Sequence, residues 1–283
     1  MSAQSHGGYY LPAPSYWPVL GSSALLGLTI GGALFIHHVA GGGWILLLGF
    51  ALLVWMLFGW FGQVIGESEK GLFNKQVDVG FRWSMSWFIF SEVMFFSAFF
   101  GALYYVRMLS VPDLAAGDNA LLWPGYTGGW PTGGPGAKSA FESMSAWGIP
   151  AWNTLILLTS GVTVTWAHWG LKKGNRGQLI AGLFATVALG LTFLSLQAYE
   201  YHHAYTELGL TLGSGVYGST FFMLTGFHGF HVTLGTIMLI VITGRSLAGH
   251  FKPESHFAFE AVSWYWHFVD VVWLGLFIFV YWL

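Results

Sequence analysis

Long apolar runs separated by short polar interruptions fill most of this chain, and the runs have the dimensions of membrane-crossing helices. A hydrocarbon core of roughly 30 Å needs about 20 mostly apolar residues in a helix. Seven stretches meet that length, near 16–37, 44–65, 82–105, 152–171, 179–201, 216–243 and 257–283. Gly41-Gly42-Gly43 predicts a short turn between the first two, and Gly174-Asn175-Arg176-Gly177 separates the fourth from the fifth. Two segments do not fit the pattern. Residues 67–80 are charged and short, and read as a loop or interfacial helix on the inner side. Residues 107–150, rich in Gly, Pro and Trp, read as a long outer loop that either holds a partner or covers helix ends, the second being the simpler expectation.

Composition sharpens this into a membrane protein. The 283 residues are 55% hydrophobic and only 8% charged, too little polar surface for a soluble globule. Many of the 16 Trp stand at the ends of the apolar runs, where a ring with one polar edge favours the headgroup level. Cysteine is absent, which excludes disulfides, thiolate-ligated haem, iron–sulfur clusters and a cysteine-bound copper centre. The balance of 10 basic and 12 acidic side chains gives no reason to expect nucleic acid as a partner. Residues 1–14 carry no Lys or Arg and are interrupted by Pro12 and Pro14, so a cleaved signal peptide is not expected.

Basic residues predict the topology, because cytoplasmic loops retain Lys and Arg. Lys70, Lys75 and Arg82 follow the second span, Lys172, Lys173 and Arg176 the fourth, and Arg245 and Lys252 the sixth; only Arg107 and Lys138 fall on the other side. The N-terminus is therefore expected inside and Leu283 outside.

The polar residues within the spans carry the candidate chemistry. Glu92 lies ten residues beyond Arg82, hence roughly 15 Å deep at 1.5 Å per residue. A carboxylate there is costly unless paired, hydrated or protonated, so it marks either a functional group or a protonated lock between helices. A protonated Glu92 with His231 as its neutral partner is the expectation. His228 and His231, three apart in Gly226-Phe227-His228-Gly229-Phe230-His231, share a helix face but have no matching His pair in another span, so hydrogen bonding within the bundle is preferred to metal ligation. Glu200 and His203 form one Glu-x-x-His pair where di-iron bundles need two, and are read as a solvated cluster at a helix end with His202 and Glu207. In the last span Glu260, His267 and Asp270 appear together; His267 and Asp270 share a face and read as a structural polar lock rather than a proton relay. Trp166-Ala167-His168-Trp169 reads as interfacial belt. No catalytic constellation, redox centre or tightly bound metal is expected in the chain.

Three function classes compete on these residues. A retinal protein would need a Lys in the last span, and the last Lys is Lys252, in a loop. A proton-coupled transporter would use Glu92, His231 and Asp270 as a relay, but the repeated halves common in such proteins are not visible. A non-catalytic subunit of a larger membrane enzyme explains polar residues without a cofactor constellation.

The segments FSEVMFF (90–96), SGVTVTWAH (160–168), GVYGSTFFMLTGFHGFHV (215–232) and FEAVSWYWHFVDVVW (259–273) closely resemble subunit III of haem–copper cytochrome c oxidases, and the likeness runs from Ser15-Tyr16-Trp17-Pro18 to the last residue. Having the first two helices favours a cytochrome c oxidase over a quinol oxidase. The resemblance implies an all-α fold of seven transmembrane helices, in which a two-helix part (1–81) and a five-helix bundle (82–283) form a V-shaped cleft filled by phospholipid. It implies no haem or copper in this chain: haem a, haem a3 and copper would lie in subunits I and II, the partners, with subunit I packed against this chain. By position it makes Glu92 the family's intramembrane glutamate and puts Glu67, His231 and Arg245 near bound lipid. Where the mitochondrial form has two arginines near the end of the second span, this chain has Gly62 and Gly66. That departure speaks against headgroup contacts there, and the outer loop, longer than the mitochondrial one, suggests a bacterial cytoplasmic membrane rather than a mitochondrial one. The role implied is stabilisation of subunit I or maintenance of its proton supply.

Overall fold

Backbone polar groups in hydrocarbon must be satisfied within their own segment, and this sequence does so with helices. The computed structural model describes residues 10–137 and 140–283; Lys138, assigned above to the outer side, lies outside them. The helices are α1 (Trp17–Ile36), α2 (Gly42–Glu69), α3 (Lys75–Tyr105), α4 (Val111–Leu114), α5 (Asn119–Leu122), α6 (Ile149–Lys172), α7 (Arg176–Thr206), α8 (Gly215–Ala248) and α9 (Phe257–Leu276). Wider π-type turns continue α3 through Val106–Ser110 and α9 through Phe277–Trp282.

Six of these helices are long and apolar enough to cross a membrane: α1, α2, α3 with its continuation to Leu114, α7, α8, and α9 with its continuation. The seventh expected span, α6, is long enough at 24 residues but carries several hydroxyl residues. Those hydroxyls turn back onto their own helix: Thr154 donates to the Pro150 carbonyl at 2.8 Å, Thr159 to Leu155 at 2.7 Å and Thr165 to Gly161 at 2.9 Å. Residues 67–80, expected as a loop or interfacial helix, are mostly helical, because α2 runs on to Glu69 and α3 already begins at Lys75. Asn74 supplies the start signal, its side chain accepting from the Val77 amide at 2.9 Å.

The chain forms two compact units, Met1–Phe81 and Arg82–Leu283. In the first, α1 and α2 pack as a hairpin whose interface is made by small residues. A Cβ on Gly31 would collide with the backbone of Ile45 and Leu46, whereas one on Gly32 would meet open space. At the far end of this hairpin Trp17 Nε1 donates to Gln63 at 2.7 Å, and Glu67 accepts from Gln63 and from the Tyr10 hydroxyl, both at 2.9 Å. Burial and the Glu67 carboxyl raise the Tyr10 hydroxyl above its ordinary pKa, which keeps the proton on the donor.

In the second unit α6 and α7 are closely paired, α8 packs on α7 and α9, and α9 on α6. The core is largely aromatic: Trp266, Trp273, Phe193, Phe221 and Phe259 are almost wholly buried. The two indoles also act as donors, Trp266 Nε1 to Ser160 and Trp273 Nε1 to Thr154, each at 2.9 Å. From α3, rings bridge to the bundle: Phe95 and Phe99 meet Phe227 with centroids 5.1 Å apart, and Phe96 meets His231 at 5.1 Å.

The described part of 107–150 covers helix ends. The carbonyls of Gly133 and Thr132 accept from the Val216 and Tyr217 amides at 3.2 and 3.1 Å, occupying two of the N–H groups that the start of α8 leaves free. Phe141 stacks on Tyr217 with centroids 5.3 Å apart.

Candidate functional site

Glu92 and His231 meet. α3 and α8 bring their side chains together, with His231 Nε2 2.9 Å from Glu92 Oε2. The other imidazole nitrogen, Nδ1, is 2.7 Å from the Phe227 carbonyl, so it carries the donating hydrogen. A neutral His231 then presents a lone pair to Glu92, and a single proton must lie between the two groups. Phe95, Phe96, Phe230, Tyr265 and Phe268 surround the imidazole.

His228, His267 and Asp270 are also engaged inside the bundle. His228 Nε2 donates to the Val269 carbonyl at 3.2 Å and packs against Phe193 and Trp273. His267 Nε2 lies 3.2 Å from the Thr165 hydroxyl, and its Nδ1 is 3.8 Å from Asp270 Oδ2. Asp270 fits because α6 has no side chain opposite it: a Cβ on Gly161 would run into its carboxylate. Glu92 joins His231 while Asp270 joins His267, so the three members of the supposed relay fall into two separate pairs.

Of the expected lipid-binding residues, Glu67 belongs to the first unit and is bonded as described above. His231 lies near the middle of α8, and Arg245 stands in its last turn, 14 residues on, with its guanidinium 4.6 Å from the Phe251 ring centroid. Within the second unit, His231 and Arg245 therefore stand at different levels of α8.

Two readings are corrected. Glu200 is 1% exposed and is not part of a solvated cluster. The π-type turns after α9 place Tyr281 over it, and the phenol donates to Glu200 Oε1 at 2.6 Å. His202, His203 and Glu207 remain toward the exposed end, with His203 3.1 Å from Glu207. His168 is not interfacial belt either. Its neighbours Trp166 and Trp169 are exposed, but the imidazole turns inward, 5.3 Å between centroids from both His256 and Phe259.

That inward turn exposes a constellation the sequence reading missed. Glu260, in the first turn of α9, pairs through Oε2 with Arg82 of α3. Its other oxygen is 3.1 Å from His256 Nε2 and 3.8 Å from His168 Nε2. Burial, with Lys172 and Arg82 nearby, pushes the His256 imidazole below its ordinary pKa. The only sequence signal was the i,i+4 spacing of His256 and Glu260; Arg82 and His168 are brought in by tertiary packing.

With this geometry, comparison with known proteins is decisive. A family model described as cytochrome c oxidase subunit III matches residues 7–283. The chain belongs to the cytochrome c oxidase subunit III family. Relatives named cytochrome c oxidase subunit 3 include one from Marchantia polymorpha, 44% identical with 100% of this chain and 98% of the relative covered. Those from Arabidopsis thaliana and Equus caballus are 41% and 42% identical, with 100% of this chain and 98% and 99% of the relatives covered. The chain is thus a multi-pass membrane subunit of the cytochrome c oxidase complex. The transporter reading is set aside by this membership, and the separate Glu92 and Asp270 pairs fit that outcome.

Proposed function

We propose that this subunit III stabilises the catalytic subunit I of the oxidase, whose haem a, haem a3 and copper lie in subunits I and II, and holds phospholipid at its basic end. The observation that carries this reading is that the intramembrane polar side chains close on one another: Glu92 on His231, His267 on Thr165 and Asp270, His228 on a backbone carbonyl. Groups tied in this way rigidify a bundle and leave electron transfer and oxygen chemistry to the partners. We place α6 in the membrane with the other long helices. In this reading the end bearing Arg82, Lys172, Lys173, Arg176, Arg245 and Lys252 faces the cytoplasmic side of a bacterial membrane; the charge asymmetry supports the orientation.

Lipid binding is supported at that end. A cavity of about 200 Å³ is walled by Arg176, Lys252, Asn175, Ser246 and Phe251, and Arg245 stacks on that same Phe251. Its size and cationic wall suit a phosphate headgroup. The functional test is to remove the subunit from the purified oxidase and follow oxygen consumption over many turnovers. Gradual inactivation from a normal initial rate is expected. Immediate loss of activity would show a direct part in the chemistry or its proton supply.

A further inference from the structure

The geometry points to a transition-metal site of the Zn²⁺ class at the basic end of the bundle, ligated by His168, His256 and Glu260. This goes beyond the oxidase reading and does not depend on it. The three ligand atoms, one from each residue, lie within 4.8 Å of one another. Two of the separations, 3.1 Å and 3.8 Å, straddle the edge of a tetrahedron about 3.3 Å long that ligands about 2.0 Å from a zinc ion define.

The orientation of the imidazoles favours a cation. His256 Nδ1 is 3.2 Å from the Lys252 carbonyl and donates to it, which leaves the lone pair on Nε2. That lone pair faces a carboxylate oxygen, and two acceptors at 3.1 Å repel unless a positive species lies between them. His256 Nε2 and His168 Nε2 are both buried without a hydrogen-bond partner. The His256 side chain is only 9% exposed, and those of Glu260 and His168 12% and 17%. Imidazole with carboxylate is a donor set that suits Zn²⁺, and a fourth ligand would be water.

Arg82 sets the strength of the site. It occupies Glu260 Oε2, so it orients the free Oε1 toward the imidazoles but also opposes a dication by charge. Binding is therefore reversible and sensitive to that arginine. A bound ion would clamp the loop after α8 to the C-terminal part of α6 and the first turn of α9, which no hydrogen bond between these three side chains does.

The test uses the purified oxidase complex stripped with a chelator and titrated with Zn²⁺. Bound zinc is counted by elemental analysis, and its ligands are read by zinc K-edge absorption. The wild type should hold one more zinc per chain than His256→Gln or His168→Gln, with two imidazoles in its shell. Either variant should weaken this site by at least about a hundredfold, the upper range for losing even an outer partner of a ligand. Arg82→Gln, with helix content shown unchanged by circular dichroism, should tighten binding roughly tenfold, an effect that simple destabilisation cannot produce. Equal zinc content in the wild type and both histidine variants, a shell without imidazole, or unchanged or weaker binding in folded Arg82→Gln would overturn the assignment.

Discussion

At Glu92 the hydrogen-bond inventory leaves two arrangements: a carboxylic acid donating to neutral His231, or a carboxylate accepting from imidazolium. Separating charge among phenylalanines is costly, and the neutral arrangement is expected. Infrared difference spectra of Glu92→Gln should then lose a carboxylic acid band, and an apolar carbodiimide should label Glu92 before Glu67, Glu69 or Asp78. Loss of a carboxylate band, or labelling that follows water exposure, would make the pair ionic. Asp270 depends on the bare backbone opposite it. Gly161→Ala should lower the thermal stability of the complex by about 1–3 kcal/mol, the usual cost of overpacking. Gly229→Ala, where an added Cβ meets nothing within 4 Å, is the control; equal effects of the two would remove Gly161 from this role.

At the scale of elements, lengths and positions were legible because runs of about 20 apolar residues have few alternatives in lipid. Ends were less so. For residues 67–80 the sequence left loop and interfacial helix both open, because a helix can carry charge at its interfacial turns, where water is at hand. The α1–α2 pairing follows from small residues at crossing points, visible in the sequence only as scattered glycines. Gly31→Leu should separate the hairpin and destabilise it by about 1–3 kcal/mol, whereas Gly32→Leu should not. Protease cleavage between α1 and α2 in reconstituted vesicles would report the difference, and equal cleavage of the two variants would argue against close packing at Gly31.

On the scale of the whole molecule, charge is concentrated at one end of the bundle, and the described part of 107–150 caps the other. The cationic wall of the cavity near Arg176 gives a direct expectation. Arg245→Ala, or Lys252→Ala in the wall itself, should reduce the anionic phospholipid that co-purifies with the complex, as measured by native mass spectrometry. Arg245→Lys should recover only part of it, because an ammonium cannot reproduce the planar fork of a guanidinium. Unchanged lipid in all three variants would detach the basic end from lipid binding.

The family motifs, helix spans and charge asymmetry were all present in the sequence, because hydropathy over a span, charge in a loop and a contiguous string of residues are local properties. Glu92 and His231 were matched by depth alone, since two groups at one level in neighbouring helices have few other partners. Pairings at large sequence separation were not accessible in the same way. Arg82 and Glu260 are 178 residues apart and Tyr281 and Glu200 are 81 apart, and nothing in either local segment names the other. Whether a polar residue near a helix end meets water or protein depends on the rotation of its helix and on what covers it. That rotation is fixed by packing against the other helices, so the burial of Glu200 and the inward turn of His168 were decided only by the tertiary structure.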